Sequence, residues 1–187
     1  MEATTHVKQA TGAQPARAHD LDSLARLDVE ALGEVYARGP VPRDLGALEG
    51  HPRGRMLAVR ALDHGPLFAA LRRFAGGAAF PWGGKTFRGR GETGTGVNRV
   101  HLFGRHQLFP FRTRFEASAV DGKPCIALDY RLADNPALIR AIHDEIREVA
   151  PGLFLGPAMW QPKKDATLVL WFALDTRIQA EPVGGVA

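Results

Sequence analysis

Seven histidines, twenty carboxylates and one cysteine are the groups of this 187-residue chain best suited to chemistry. No two histidines fall at i, i+4 on an expected helix, and none shows a zinc-ligand spacing. Arg99 and His101 share one face of an expected strand with Val97 and Phe103. Pointed into a barrel, the two would be buried polar groups needing partners, and Asp129 and Glu116 are the carboxylates that could serve. Such an Arg–His–Asp pocket binds a carboxylate or carries out general acid–base chemistry. Turned to solvent, the same face is only a polar surface. Glu145 beside His143 is the other polar candidate, so His101, Asp129 and Glu145 are the candidate catalytic residues, should a reaction be carried out. Ser23 and Ser118 are the only serines and lie in no nucleophile motif. Cys125 stands in an apolar strand, where a buried, inert thiol is expected, and a lone cysteine excludes both an internal disulfide and a multi-cysteine metal site. No metal and no cofactor is expected.

Residues 89–96, GRGETGTG, contain a G-x-G-x-x-G spacing. A dinucleotide fingerprint of that form must follow a strand and open a helix. Here the following residues alternate Val97, Arg99, His101 against Asn98, Val100, Leu102, a strand pattern, so the glycines are expected in a hairpin loop.

The elements that must position these residues are mostly strands. Leu21, Leu24, Leu27, Leu32 and Val35 predict an N-terminal helix from Asp20 to about Gly39–Pro40. Strands are expected over 54–63, 80–88, 97–103, 107–120 (with Pro110 at an edge or bulge), 123–131, 152–160 and 166–175, and a short helix over 66–74. Asp121–Gly122 signals a two-residue hairpin turn. Residues 134–151 read as one amphipathic helix: Asp134, Asn135 and Pro136 start it, Leu138, Ile139, Ile142, Ile146 and Val149 form its apolar stripe, and Pro151–Gly152 end it. Strands adjacent in sequence with short turns predict a mainly β fold, an antiparallel meander closing into a barrel of seven to eight strands, with one helix inserted before the last two. The expected domain covers 20–177, after a polar lead-in (1–19) and before a glycine-rich tail (178–187).

The aromatic-rich motif Trp82-Gly83-Gly84-Lys85-Thr86-Phe87, preceded by Leu48-Glu49-Gly50 and Arg53-Gly54, resembles the small bacterial barrels named for a G-x-W-x-G motif, which are lipocalin-like. The closing LDY, NP, GLFLG and LWFAL segments have the layout of that family's final strands, and the resemblance spans about residues 45–175. Pro52 stands where the family's first motif has a tryptophan. The resemblance implies a ligand-binding barrel and little about reaction.

A binding protein for an apolar small molecule or short peptide, an accessory of a biosynthetic pathway, is therefore the leading expectation. Trp82, Phe87, Arg99, His101, Phe103, Phe111, Phe115, Tyr130, Trp160 and Trp171 are its expected ligand-contacting residues. The alternatives are a cofactor-independent cyclase or isomerase, distinguished by a titratable pair in contact inside the cavity, and a structural module with a filled core. The net charge of +4 is mild and scattered, which argues against a nucleic-acid partner. Only five residues are lysines, an arginine skew expected of a GC-rich bacterial genome. No apolar run reaches the ~20 residues that span a bilayer, and the start lacks the apolar core of a signal peptide. The expectation is a cytoplasmic monomer or homodimer without a membrane partner.

Overall fold

In the computed structural model, which describes residues 19–60, 81–101, 103–163 and 165–181, eight antiparallel strands close in sequence order into a barrel. They are β1 (Pro52–Val59), β2 (Trp82–Arg90), β3 (Thr93–Val100), β4 (His106–Ala117), β5 (Pro124–Asp129), β6 (Ile142–Ala150), β7 (Leu153–Trp160) and β8 (Thr167–Gln179). β8 pairs with β1 and closes the barrel. The expected antiparallel meander closing into a barrel is thus observed. The expected helix over 66–74 lies outside the described residues.

The N-terminal helix is divided in two. Asp20 caps α1 (Leu21–Leu24) and Asp28 caps α2 (Val29–Arg38), each accepting from a backbone N–H three residues on. Both pack on the outside of the barrel. Leu24, Leu32 and Tyr36 bury against Leu57, Leu153, Leu155 and Trp171, making a first core between helix and wall. A second core fills part of the barrel interior, where Phe87, Phe111, Ile126, Leu128, Ile146, Phe154 and Leu174 meet Leu45 and Leu48 of a 3-10 turn (Leu45–Leu48). That turn is bonded to the β2–β3 hairpin: Leu45 N donates to Gly91 O, and Asp44 accepts from Gly91 N. It stops this end of the barrel. The glycine-rich motif forms the hairpin itself, Gly89 pairing with Gly94, with Gly91 at a φ of 66° in the tight turn.

The long helix expected over 134–151 is corrected. Only Ala137–Arg140 is helical (α3), and Ile142–Ala150 is strand β6, paired with β5 and β7. Ile142 and Ile146 are four apart, a spacing that puts them on one face of a helix and also on one face of a strand. The usual polar-outside cue is absent, because both faces of β6 are covered: His143, Asp144, Glu145 and Arg147 are all buried. A helix here would leave β5 and β7 with unpaired backbone edges, which the closed barrel does not tolerate. Gly156 of β7 fits against this strand because it lacks a side chain; a Cβ there would lie 1.6 Å from the Glu145 carbonyl oxygen.

Candidate functional site

Strand parity decides which side chains enter the barrel. On β3, Asn98 and Val100 face inward. On β5 and β6, Tyr130 (just past β5), Ile142 and Asp144 do so. On β2 the register shifts between Trp82 and Gly84, and Gly84 takes a φ of 118°. The extra residue resets the alternation, so Trp82, Lys85 and Phe87 all point inside although the first two are three positions apart.

These side chains bound a cavity of about 270 Å³ at the end of the barrel opposite the 3-10 turn. Its walls are apolar, from Met56, Trp82, Phe109, Ile142, Leu170 and Phe172 among others. Among the described residues its polar groups are four: Lys85, Asn98, Tyr130 and Asp144. Lys85 Nζ donates to Asp144 Oδ2 at 2.9 Å, to Asn98 Oδ1 at 2.9 Å and to the Tyr130 hydroxyl at 2.5 Å. Tyr130 donates to Asp144 Oδ2 at 3.0 Å and also accepts from Asn98 Nδ2 at 3.1 Å. Trp82 Nε1 donates to Asn98 Oδ1 at 3.0 Å, and Asn98 Nδ2 donates to the Phe109 carbonyl at 3.2 Å. The Lys85 ammonium is ringed by aromatic faces, 5.0 to 5.4 Å from the centroids of Phe172, Phe111, Tyr130 and Trp82. Burial draws the lysine below its ordinary pKa, with Asp144 opposing. Burial, reinforced by Asp144, pushes the Tyr130 phenol far up, so it remains a donor. A buried ion pair of this kind adds little net stability compared with apolar residues of the same volume. Its chemistry is that of a fixed dipole under an apolar pocket.

Of the residues expected at a site, Trp82 and Tyr130 line this cavity. Phe87 and Phe111 lie deeper, in the interior core, with Phe115 packed at its edge. Arg99 and His101 take the opposite parity from Asn98. Arg99 is buried on the outer side, where Nη2 donates to the carbonyls of Pro52 and Gly83. β1 and β2 share one ladder pairing, Arg53 with Gly84, so Arg99 stitches the thinnest described seam of the wall. His101 is exposed, Asp129 binds Arg114 and Arg131 on the surface, and Phe103 is fully exposed. Trp160 is partly exposed at the end of β7, and Trp171 faces outward against Tyr36, with ring centroids 5.4 Å apart.

Glu145 and His143 do meet, but outside the barrel, beneath α2. His143 Nε2 lies 3.0 Å from Glu145 Oε1, and Ala119 N donates to the same oxygen at 2.6 Å. Tyr36 and Ser118 donate to Oε2 at 2.8 and 2.5 Å. Burial raises the Glu145 carboxyl, yet these hydrogen bonds outweigh it and hold the carboxyl below its ordinary value. Arg147, stacked 4.2 Å from the Tyr36 ring centroid, makes a two-pronged bond to Asp121 and donates to the carbonyl of Tyr36. With every strong acceptor engaged, this cluster fastens α2 and the β4–β5 turn to the wall. Cys125 lies among these groups, its thiol pushed up by burial.

Among the described residues, no cluster of three or more His, Cys, Asp or Glu is placed to hold a metal ion, and no helix is long and apolar enough to cross a membrane.

The class defined by this geometry is a closed eight-stranded antiparallel barrel with an apolar cavity and an internal Lys–Asp–Tyr–Asn cluster. No family profile matches the chain, and no curated protein matches it. Among solved structures, the crystal structure of a protein from Thermomonospora curvata is similar, with 21% sequence identity over 80% of this chain and 87% of that one, at a TM-score of 0.44.

Proposed function

We propose that this barrel is a lipocalin-like binding protein whose cavity holds one small, largely apolar molecule. The observation that carries the reading is the lining, apolar on its walls and polar at one cluster built from four separate strands or their ends. Few and convergent polar groups in an apolar concavity are what orient a small ligand. A volume of about 270 Å³ sits just under the ~300–1,000 Å³ range of drug-sized pockets, which favours a small molecule over a peptide. Native mass spectrometry of the protein isolated from its own host is the test, expected to reveal a retained small molecule that an Ala158→Trp variant, with its cavity filled, no longer carries. No retained molecule, together with no thermal shift from a panel of apolar fragments, would overturn the reading.

A second reading is favoured by one specific feature. Lys85, Tyr130 and Asp144 are titratable groups in hydrogen-bond contact inside the cavity, which a cofactor-independent isomerase or cyclase needs and a carrier does not. Incubation of the loaded protein in deuterium oxide separates the two: a catalyst of proton transfer exchanges carbon-bound hydrogens of its guest, and a carrier leaves them untouched.

A further inference from the structure

The donors and acceptors of the internal cluster can be counted to completion. Lys85 has three N–H donors, and all three are used, on Asn98, Tyr130 and Asp144. The Tyr130 hydroxyl donates once and accepts twice. Both amide protons of Asn98 are engaged, its carbonyl oxygen accepts from Trp82 and Lys85, and the single indole N–H of Trp82 is taken by that bond. Asp144 Oδ2 accepts from Lys85 and from Tyr130. One atom is left over: Asp144 Oδ1 is buried and has no hydrogen-bond partner. Every donor of the cluster is engaged, and the unused capacity belongs entirely to an acceptor.

Resting on the reading of the cavity as a ligand site, we propose that its ligand is a neutral apolar molecule bearing a hydroxyl or N–H group, which donates to Asp144 Oδ1. A buried carboxylate oxygen without a donor is unfavourable, so a guest that supplies one gains more than a guest that does not. The Asp144 charge is already matched by Lys85 at 2.9 Å, which leaves no spare negative charge to attract a cation. A carboxylate guest would meet the free oxygen of another carboxylate. An aldehyde or ketone offers only an acceptor, where no donor of the described cluster remains to receive it. Asp144 lines the cavity and the terminal torsion of an aspartate is soft, so a small rotation of the carboxylate turns Oδ1 toward an entering donor.

The test uses 1-indanol and 1-indanone, which share one carbon frame and differ in donor capacity, titrated calorimetrically into the full-length protein. The alcohol is expected to bind about tenfold or more tightly than the ketone, the discrimination typical of a hydrogen bond to a charged acceptor. In Lys85→Met/Asp144→Leu, which strands no charge, the preference should vanish while the ketone still binds; a preference that survives in this variant would overturn the assignment to Asp144. Equal binding of the two probes by the unaltered protein, or tighter binding of the ketone, overturns the donor requirement and leaves the binding site standing. Failure of both probes, and of unsubstituted indane with them, overturns the binding site itself.

Discussion

Replacing Lys85 by methionine keeps an unbranched side chain of similar length and removes the ammonium. Asp144, only 5% exposed in its side chain, then loses its counter-charge and keeps a single donor, Tyr130. Asn98 and Tyr130 each lose a donor as well. Leaving one member of a buried pair uncompensated costs about 3–5 kcal/mol, out of a total of roughly 5–15 kcal/mol for a folded domain. For a chain of this size the melting temperature should drop by about 6–20 °C. Asp144→Leu, which strands the lysine inside its aromatic ring of neighbours, should cost a similar amount. The double variant Lys85→Met/Asp144→Leu removes both charges, and its stability should return to within about 2 kcal/mol of the original protein, because apolar pairs commonly replace buried ion pairs without loss. Urea unfolding at neutral pH, followed by the fluorescence of the three tryptophans, supplies all four corners of the cycle. A coupling energy above about 2 kcal/mol is expected. Two results would refute the reasoning: single variants that each stay within about 1 kcal/mol of the parent, or a double variant as unstable as the two singles combined.

Three further outcomes follow from the same structure. Tyr36→Phe deletes one of four donors to Glu145 and should cost about 1–2 kcal/mol, with faster amide exchange concentrated in α2; unchanged exchange there would detach Tyr36 from the fastening of that helix. Gly156→Ala drives a methyl group into the β6 backbone and should prevent soluble folding, read by circular dichroism and size-exclusion chromatography, whereas Ala158→Gly on the same strand should fold. Lowering the pH should destabilise the protein between about pH 5 and 2: hydrogen bonds from Arg147 hold Asp121 at about 2, burial raises Asp129 but Arg131 and Arg114 outweigh it and hold it at about 2, and Glu145 and Asp175 are also depressed. Carboxyls lowered in the folded state contribute stability that is complete above their unfolded values, near ~4, and is lost as they protonate; a urea midpoint that stays flat from pH 5 to 2 would contradict this.

The barrel is legible in the chain because its strands carry local signals: alternation in β3, the Asp121–Gly122 turn, and the apolar run 167–175 that becomes β8. The strand β6 is not, since Ile142 and Ile146 satisfy both periodicities and the polar residues between them are buried on both faces. Reading that segment as a helix places Asp144 on a solvent face, which hides the centre of the cavity cluster. Strand alternation from Ile142 would have shown the aspartate beside two isoleucines on the inner face. Lys85 is hidden for a different reason. Alternation from Trp82 would turn it outward, and only the shift of register at Gly83–Gly84 brings both inside. In β3 the alternation itself is plain, but nothing in the residues says which face is interior, and the chain spends Arg99 on the carbonyls of Pro52 and Gly83 while the shorter Asn98 enters the barrel.

The 3-10 turn that brings Leu45 and Leu48 into the barrel makes the cavity a cul-de-sac. On the binding reading proposed above, a guest leaves by the route it took in, so two guests cannot pass one another and a competitor waits on the departure of the first. Orientation is imposed as well. On the same reading, the end of the guest that meets Asp144 travels head-first, and whatever is attached to its other end trails away from the cluster. A reporter dye or a resin linker grafted to that trailing end should therefore be tolerated, while the same graft at the leading end should be turned away.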